Sequence, residues 1–172
     1  MRFLSVLLLT VTLTLHAPLA SHGEGSQNLP KPQGPVILVI TGEISNTNGP
    51  GRAEFDLAML ESLGMTALET RTPWTDSQHR YEGVLARNLL SAVGAKGSVL
   101  TAIALNDYMV DIPVSEVVKY PVLLALKRDA TYLTVRRRGP IEIVYPREQA
   151  AELRTSLAAR KAVGMLREIV VK

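Results

Sequence analysis

The chain has no cysteine. That excludes disulfides, thiolate nucleophiles and any site where a protein sulfur holds zinc or a heavier metal. Stability must therefore come from the packed core. Aromatics are scarce at 5%, with two Phe and a single Trp, Trp74. There are three histidines, and only His79 lies well inside the body of the sequence. No long Lys or Arg run accompanies the formal charge of +3, so nucleic acid is not an expected partner. No glycine-rich phosphate cradle follows the first apolar strand. There is no G-x-S-x-G, and His79 has no evident partners for a catalytic triad. Asp76, His79 and Glu82 stand at D-x-x-H-x-x-E spacing. Nothing else marks a helix there, and a lone His with two acids reads as a solvated loop. No metal site is expected.

What is present suits one domain with a sizeable core: 172 residues, 47% hydrophobic and 20% charged. Arg2 precedes an apolar run from Phe3 to Leu15, broken only by Ser5, Thr10, Thr12 and Thr14. That run is short for a membrane span, and small residues follow around Ala20 to Gly23. It reads as a secretory signal peptide over residues 1–22, so the expected location is periplasmic, with no transmembrane segment after cleavage. Residues 23–34 are rich in Gly, Ser, Asn and Pro and read as a flexible leader. The domain is expected over 35–172.

Within it, Pro35–Thr41 is β-branched and apolar and reads as a buried strand. Turn chemistry follows in Ser45–Arg52, then a short amphipathic helix over Phe55–Leu63 with Asp56 as N-cap and Gly64 as stop. Met65–Glu69 is a strand. Leu85, Leu89, Leu90 and Val93 recur at helical spacing up to Gly94. Strands are expected at Ser98–Asn106, Met109–Pro113, Pro121–Lys127 and Leu166–Val171, with one or two helical turns at Ser115–Lys119. Asp129-Ala130 is a hairpin turn, with Thr131–Arg136 returning, a break at Gly139-Pro140 and resumption over Ile141–Tyr145. Glu148–Ala159 reads as a polar helix. The class is α+β, with short helices on a mixed, mostly antiparallel β framework.

The chemistry concentrates in Glu69–Tyr81, read as a loop between periodic segments. Trp74, Tyr81 or Tyr108 can stack on a flat heterocycle. Asn106, Asp107, Glu69 and the threonines can hydrogen-bond its ring nitrogens, and a carboxylate pairs naturally with an amino-pyrimidine edge. The competing readings are a core-edge aromatic for Trp74 and a turn residue for Asp107. Arg136, Arg137 and Arg138 form the sharpest basic feature. On a strand, Arg136 and Arg138 would share a face and grip one anion, or they would simply keep an edge strand soluble.

Taken in order, several blocks resemble the sulfite-oxidase-like molybdopterin-binding domain, and most closely its small exported members. They are Thr72-Pro73-Trp74-Thr75, Tyr81-Glu82-Gly83-Val84 leading to Leu89-Leu90, Ala104–Tyr108 with Ile112-Pro113-Val114, and Arg138-Gly139-Pro140 with Tyr145-Pro146. The resemblance covers roughly residues 35–171. It implies that family's fold and a cavity shaped for pterin. Catalytic members hold molybdenum through the pterin dithiolene and one cysteine in the loop before a Trp. Thr70 is the nearest counterpart here, so no protein-ligated molybdenum is expected. The chain also departs from the family in having Asp129-Ala130 for a frequent Asp-Gly, and Gly164 where an aromatic often precedes the last strand.

The resemblance thus implies a pterin or molybdopterin-like ligand, non-enzymatic binding, and the periplasmic domain of a membrane signalling protein as partner. The positions carried over are Arg71, Thr72, Trp74, Tyr81, Asn106, Asp107, Tyr108 and Arg138. The alternative is a molybdopterin-dependent oxidoreductase of the sulfite oxidase type with a cysteine-free site.

Overall fold

The computed structural model describes residues 29–172. The signal peptide expected over 1–22, and the first part of the leader, lie outside them. In chain order the elements begin with β1 (Leu38–Gly42), β2 (Arg52–Phe55), α1 (Leu57–Ser62), β3 (Met65–Thr70) and β4 (His79–Leu85). Then come α2 (Ala86–Ala92), β5 (Val99–Ala104), β6 (Met109–Pro113), α3 (Val114–Lys119), β7 (Leu123–Arg128) and β8 (Thr131–Tyr132). A 3-10 turn (Val135–Arg137) leads to β9 (Glu142–Val144), and a second one (Ala151–Arg154) to α4 (Ser156–Arg160) and β10 (Leu166–Val171).

Two five-stranded sheets result, one ordered β2-β1-β10-β5-β6 and the other β3-β4-β7-β8 with β9 also on β7. Among the described residues, only β1 and β10 run parallel, and every other strand pairing is antiparallel. The α+β class with a mixed, mostly antiparallel framework is therefore what the chain adopts.

The main core includes Leu38, Ile40, Phe55, Leu60, Leu89, Leu124, Leu126, Leu166 and Ile169, all essentially without solvent contact. Strand β7 shows why its sequence is continuously apolar. Leu124 and Leu126 face the main core, while Leu123 and Ala125 join Tyr81, Leu133 and Val144 in a smaller cluster on the other face. A strand covered on both faces has no reason to alternate. Truncating Leu124 or Leu126 to Ala should cost about 2–5 kcal/mol.

Several expectations change. The leader is not free as far as Gly34. Leu29 packs on the core, and Gln33 and Gly34 each donate a backbone N–H to Asp56 at 2.8 Å. The same carboxylate caps α1 through Met59 N–H at 2.8 Å. Its pKa is lowered, the Met59 N–H bond contributing most. The expected strand over Thr131–Arg136 stops at Tyr132, and Val135–Arg137 is a 3-10 turn, so Arg136 and Arg138 do not share a strand face. The expected helix over Glu148–Ala159 is broken into a 3-10 turn and one short helix. Thr155 marks the break, turning extended and capping α4 with its hydroxyl.

Candidate functional site

The connection between β3 and β4 is shorter than Glu69–Tyr81, because β4 already begins at His79. Residues 71–78 fold tightly around Pro73-Trp74. Thr72 N–H donates to Thr75 Oγ1 at 3.0 Å, and Thr75 N–H returns to the Thr72 carbonyl at 3.3 Å. Trp74 N–H donates to Thr72 Oγ1 at 3.3 Å. This small knot presents the indole outward, with 58% of Trp74 exposed.

The indole is nevertheless held. Its Nε1–H donates to the Ala162 carbonyl at 3.4 Å, and the Arg138 guanidinium lies 4.5 Å from the ring centroid. Arg138 also donates to the same carbonyl at 3.1 Å and to Glu142 at 2.7 Å. Glu142 is fully buried, and its second oxygen has no hydrogen bond within the protein. Burial pushes its pKa up, and the Arg138 bond only partly offsets that. Gly164 makes this arrangement fit. A Cβ there would stand 2.8 Å from both Cβ and Cζ of Arg138. The departure at Gly164 thus leaves room for an arginine.

Trp74 and Arg138 wall a cleft of about 670 Å³ whose surface is mainly apolar. Asn106, Tyr108 and Met109 line it from the β5–β6 turn, and Arg160, Val163 and Met165 from the segment between α4 and β10. No acidic side chain lines it. Tyr108 is fixed by its hydroxyl, which donates to the Arg160 carbonyl at 2.9 Å. A flat ring sliding in would meet aromatic and aliphatic surface, two cations and one amide. Since Arg138 covers one indole face, a ring ligand must use the other face or move Arg138.

A second, polar cleft of about 930 Å³ lies on the other side of the loop, with Ala159 in the wall of both. Arg71, Arg147 and Arg154 line it together with Thr72, Asp76 and Glu148. Thr70 is buried beside it. Its hydroxyl meets the Tyr145 carbonyl at 3.1 Å and Glu148, and accepts Arg147 N–H at 3.2 Å. Burial raises the Glu148 pKa, but the Thr70 hydroxyl and Arg71 N–H outweigh it and leave the carboxyl below its usual range. Thr70 is thus consumed as a structural clamp. Among the described residues, no group of three or more His, Asp or Glu side chains is placed to hold a metal.

Of the eight positions carried over, Trp74, Asn106, Tyr108 and Arg138 meet at the apolar cleft. Arg71 and Thr72 lie at the polar one. Asp107 lies at neither. It occupies the β5–β6 turn at φ 63°, with its side chain 81% exposed and paired to Arg167 at 2.8 Å. The turn reading of Asp107 therefore stands. Tyr81 is a correction: it sits in β4, fully buried, with its hydroxyl unpartnered. A ring inside a core cluster cannot stack on a ligand. Glu69 pairs across with Arg80 at the edge of the second sheet, away from the cleft. The sequence reading missed Met109, Arg160 and Met165, of which only Met165 adjoins the Gly164 departure.

No family model matches the chain, and no curated protein matches it. Among solved structures, it is similar to the sulfane dehydrogenase SoxCD from Paracoccus pantotrophus. The identity is 17% and the TM-score 0.57, covering 78% of this chain and 37% of that one. The chain thus spans little more than a third of that structure's length, and the likeness is one of fold. It agrees with the α+β, sulfite-oxidase-like architecture that the ordered sequence blocks imply. Among the described residues, no helix is long and apolar enough to cross a membrane.

Proposed function

We propose that this protein binds a flat, pterin-like heterocycle in the apolar cleft, and binds it without transforming it. The observation that carries the reading is the Trp74–Arg138 pair, stacked at 4.5 Å on the wall of a 670 Å³ cleft. Such a cleft, apolar with a few converging polar groups, suits a bicyclic ring. The ring would lie against Trp74 and Met109. Its carbonyl edge would face Arg138 and Arg160, and the Asn106 amide would serve its N–H edge. No carboxylate takes the amino-pyrimidine edge in this arrangement. A ring bearing an anionic tail would direct it toward the arginines. Sequence resemblance and fold likeness support the pterin class, and the absence of cysteine argues against a protein-held molybdenum.

The apolar start of the sequence supports a periplasmic setting. There the ligand would act by mass action on a surface read by the periplasmic domain of a membrane signalling protein. The test is a ligand panel of tetrahydropterin, folate analogues and unrelated heterocycles, read by Trp74 fluorescence and by melting. A pterin at a hundredfold excess over its Kd should add about 2.7 kcal/mol. That raises Tm by roughly 5–10 °C in a chain of this size. Trp74→Ala should abolish the response. Silence to every pterin would remove the reading.

A further inference from the structure

His79, in the first position of β4, is oriented by a residue far away in sequence. Its Nδ1 stands 2.8 Å from Oδ2 of Asp129, which lies in the β7–β8 turn. Its Nε2 stands 3.3 Å from Oγ of Ser77. The roles follow from elementary chemistry. An ionised carboxylate only accepts, so Nδ1 carries the ring proton. In the neutral ring Nε2 is then the acceptor, and the Ser77 hydroxyl is the group that donates to it. The His79 hydrogen bond itself lowers the Asp129 pKa.

The carboxylate is firmly placed. Its other oxygen accepts Arg80 N–H at 3.2 Å, and Asp129 N–H donates to the Arg80 carbonyl at 2.8 Å. Both central residues of the turn, Asp129 and Ala130, are left-handed, at φ 51° and 61°. Such a two-residue turn fixes where the Asp side chain points. The His79 ring is braced on its other side by Tyr81, edge to face at 6.4 Å. Nucleophile, base and orienting acid thus stand in the order that acyl transfer requires. Among the described residues, the backbone N–H groups of Ser77 and Gln78 have no acceptor within the protein. Donors next to a nucleophile are what a developing oxyanion needs.

We propose that Ser77, His79 and Asp129 form an esterase site for small, unhindered esters. Ser77 Oγ attacks the ester carbonyl carbon while Nε2 takes its proton. The carbon–oxygen bond to the alcohol breaks, and Nε2 protonates that leaving oxygen. Solvent water then attacks the acyl-serine, again giving its proton to Nε2. The acid leaves, and the proton returns to Ser77. Asp129 holds the imidazole in its tautomer and faces the imidazolium formed in each step. The site is open to solvent, so substrates need no deep pocket.

The test uses the whole protein with the nitrophenyl ester of butyric acid. Release of nitrophenol should exceed the buffer rate. Ser77→Ala should lower it at least tenfold, and His79→Gln and Asp129→Asn should do likewise, each with an unchanged melting curve. Ser77→Ala leaves the His79–Asp129 bond in place, so its loss of rate cannot come from loosening the loop. A fluorophosphonate should label Ser77, located by peptide mapping. Hydrolysis that survives in Ser77→Ala would overturn the proposal, as would labelling elsewhere or a rate equal to buffer. None of these outcomes depends on whether the apolar cleft takes a pterin.

Discussion

The two clefts flank one loop and share Ala159, yet a glutamate sits behind each on opposite terms. Glu142, behind the apolar cleft, is fully buried and answered by one guanidinium, and its carboxyl is held above the usual range. Glu148, at the polar cleft, meets a fixed hydroxyl and a fixed backbone N–H, and its carboxyl is held below it. Six positions separate them in sequence. The difference follows burial first: one guanidinium does not offset the desolvation of the sealed Glu142, whereas the fixed donors at the solvent-exposed Glu148 outweigh its smaller desolvation. It also shows why Arg138 matters twice. It neutralises Glu142 and covers Trp74 in the same posture.

The comparison breaks most visibly at Arg138. Arg138→Met should leave a buried carboxylate alone and cost about 3 kcal/mol, with Tm lower by roughly 6–12 °C. Adding Glu142→Leu should recover much of that loss. If the double variant is as weak as the single, packing rather than charge explains Arg138. A smaller effect is expected at Thr70→Val, which preserves shape but strips the hydroxyl from Glu148 and from Arg147 N–H. Unfolding in urea should show a loss of roughly 1–3 kcal/mol. An unchanged midpoint would mean that the clamp is ornamental.

The smallest effect is the dependence on pH, and it sharpens the contrast by its sign. The raised pKa of Glu142 means its contribution is complete below the unfolded carboxylate pKa and is lost as pH rises through the folded value. The lowered pKa of Glu148 means its contribution is complete above the unfolded pKa and is lost as pH falls through the folded one. Melting of Glu142→Gln and Glu148→Gln over roughly pH 3 to 8 should therefore diverge from the parent at opposite ends. Glu148→Gln should flatten the acid side. Glu142→Gln should gain on the parent toward neutrality. Two curves parallel to the parent would end the electrostatic account.

Strands such as Met65–Thr70, Met109–Pro113 and Leu166–Val171 were legible because alternation and β-branching are local signals. The cap at Asp56 was legible for the same reason. Tyr81 was not, because a polar stretch looks alike whether it is loop or the first residues of a paired strand. Its partner Arg128 lies far along the chain. Half of the apolar cleft was visible in Trp74, Asn106, Tyr108 and Arg138. The other half hangs on the α4–β10 connection, whose placement depends on Arg138 lying over Gly164. His79 looked solitary because Asp129 reaches it only once β4 and β7 are paired.

The parallel seam between β1 and β10 has a consequence for how the molecule comes into being. Ile40 sits opposite Ile169, so an early segment waits for a late one before the first sheet can close. Everything from β1 to β10 must exist before that seam can zip, which favours slow, all-at-once acquisition of shape over growth by stages. Until then the apolar edges stay unguarded, and a nascent copy would lean on chaperones that shield them.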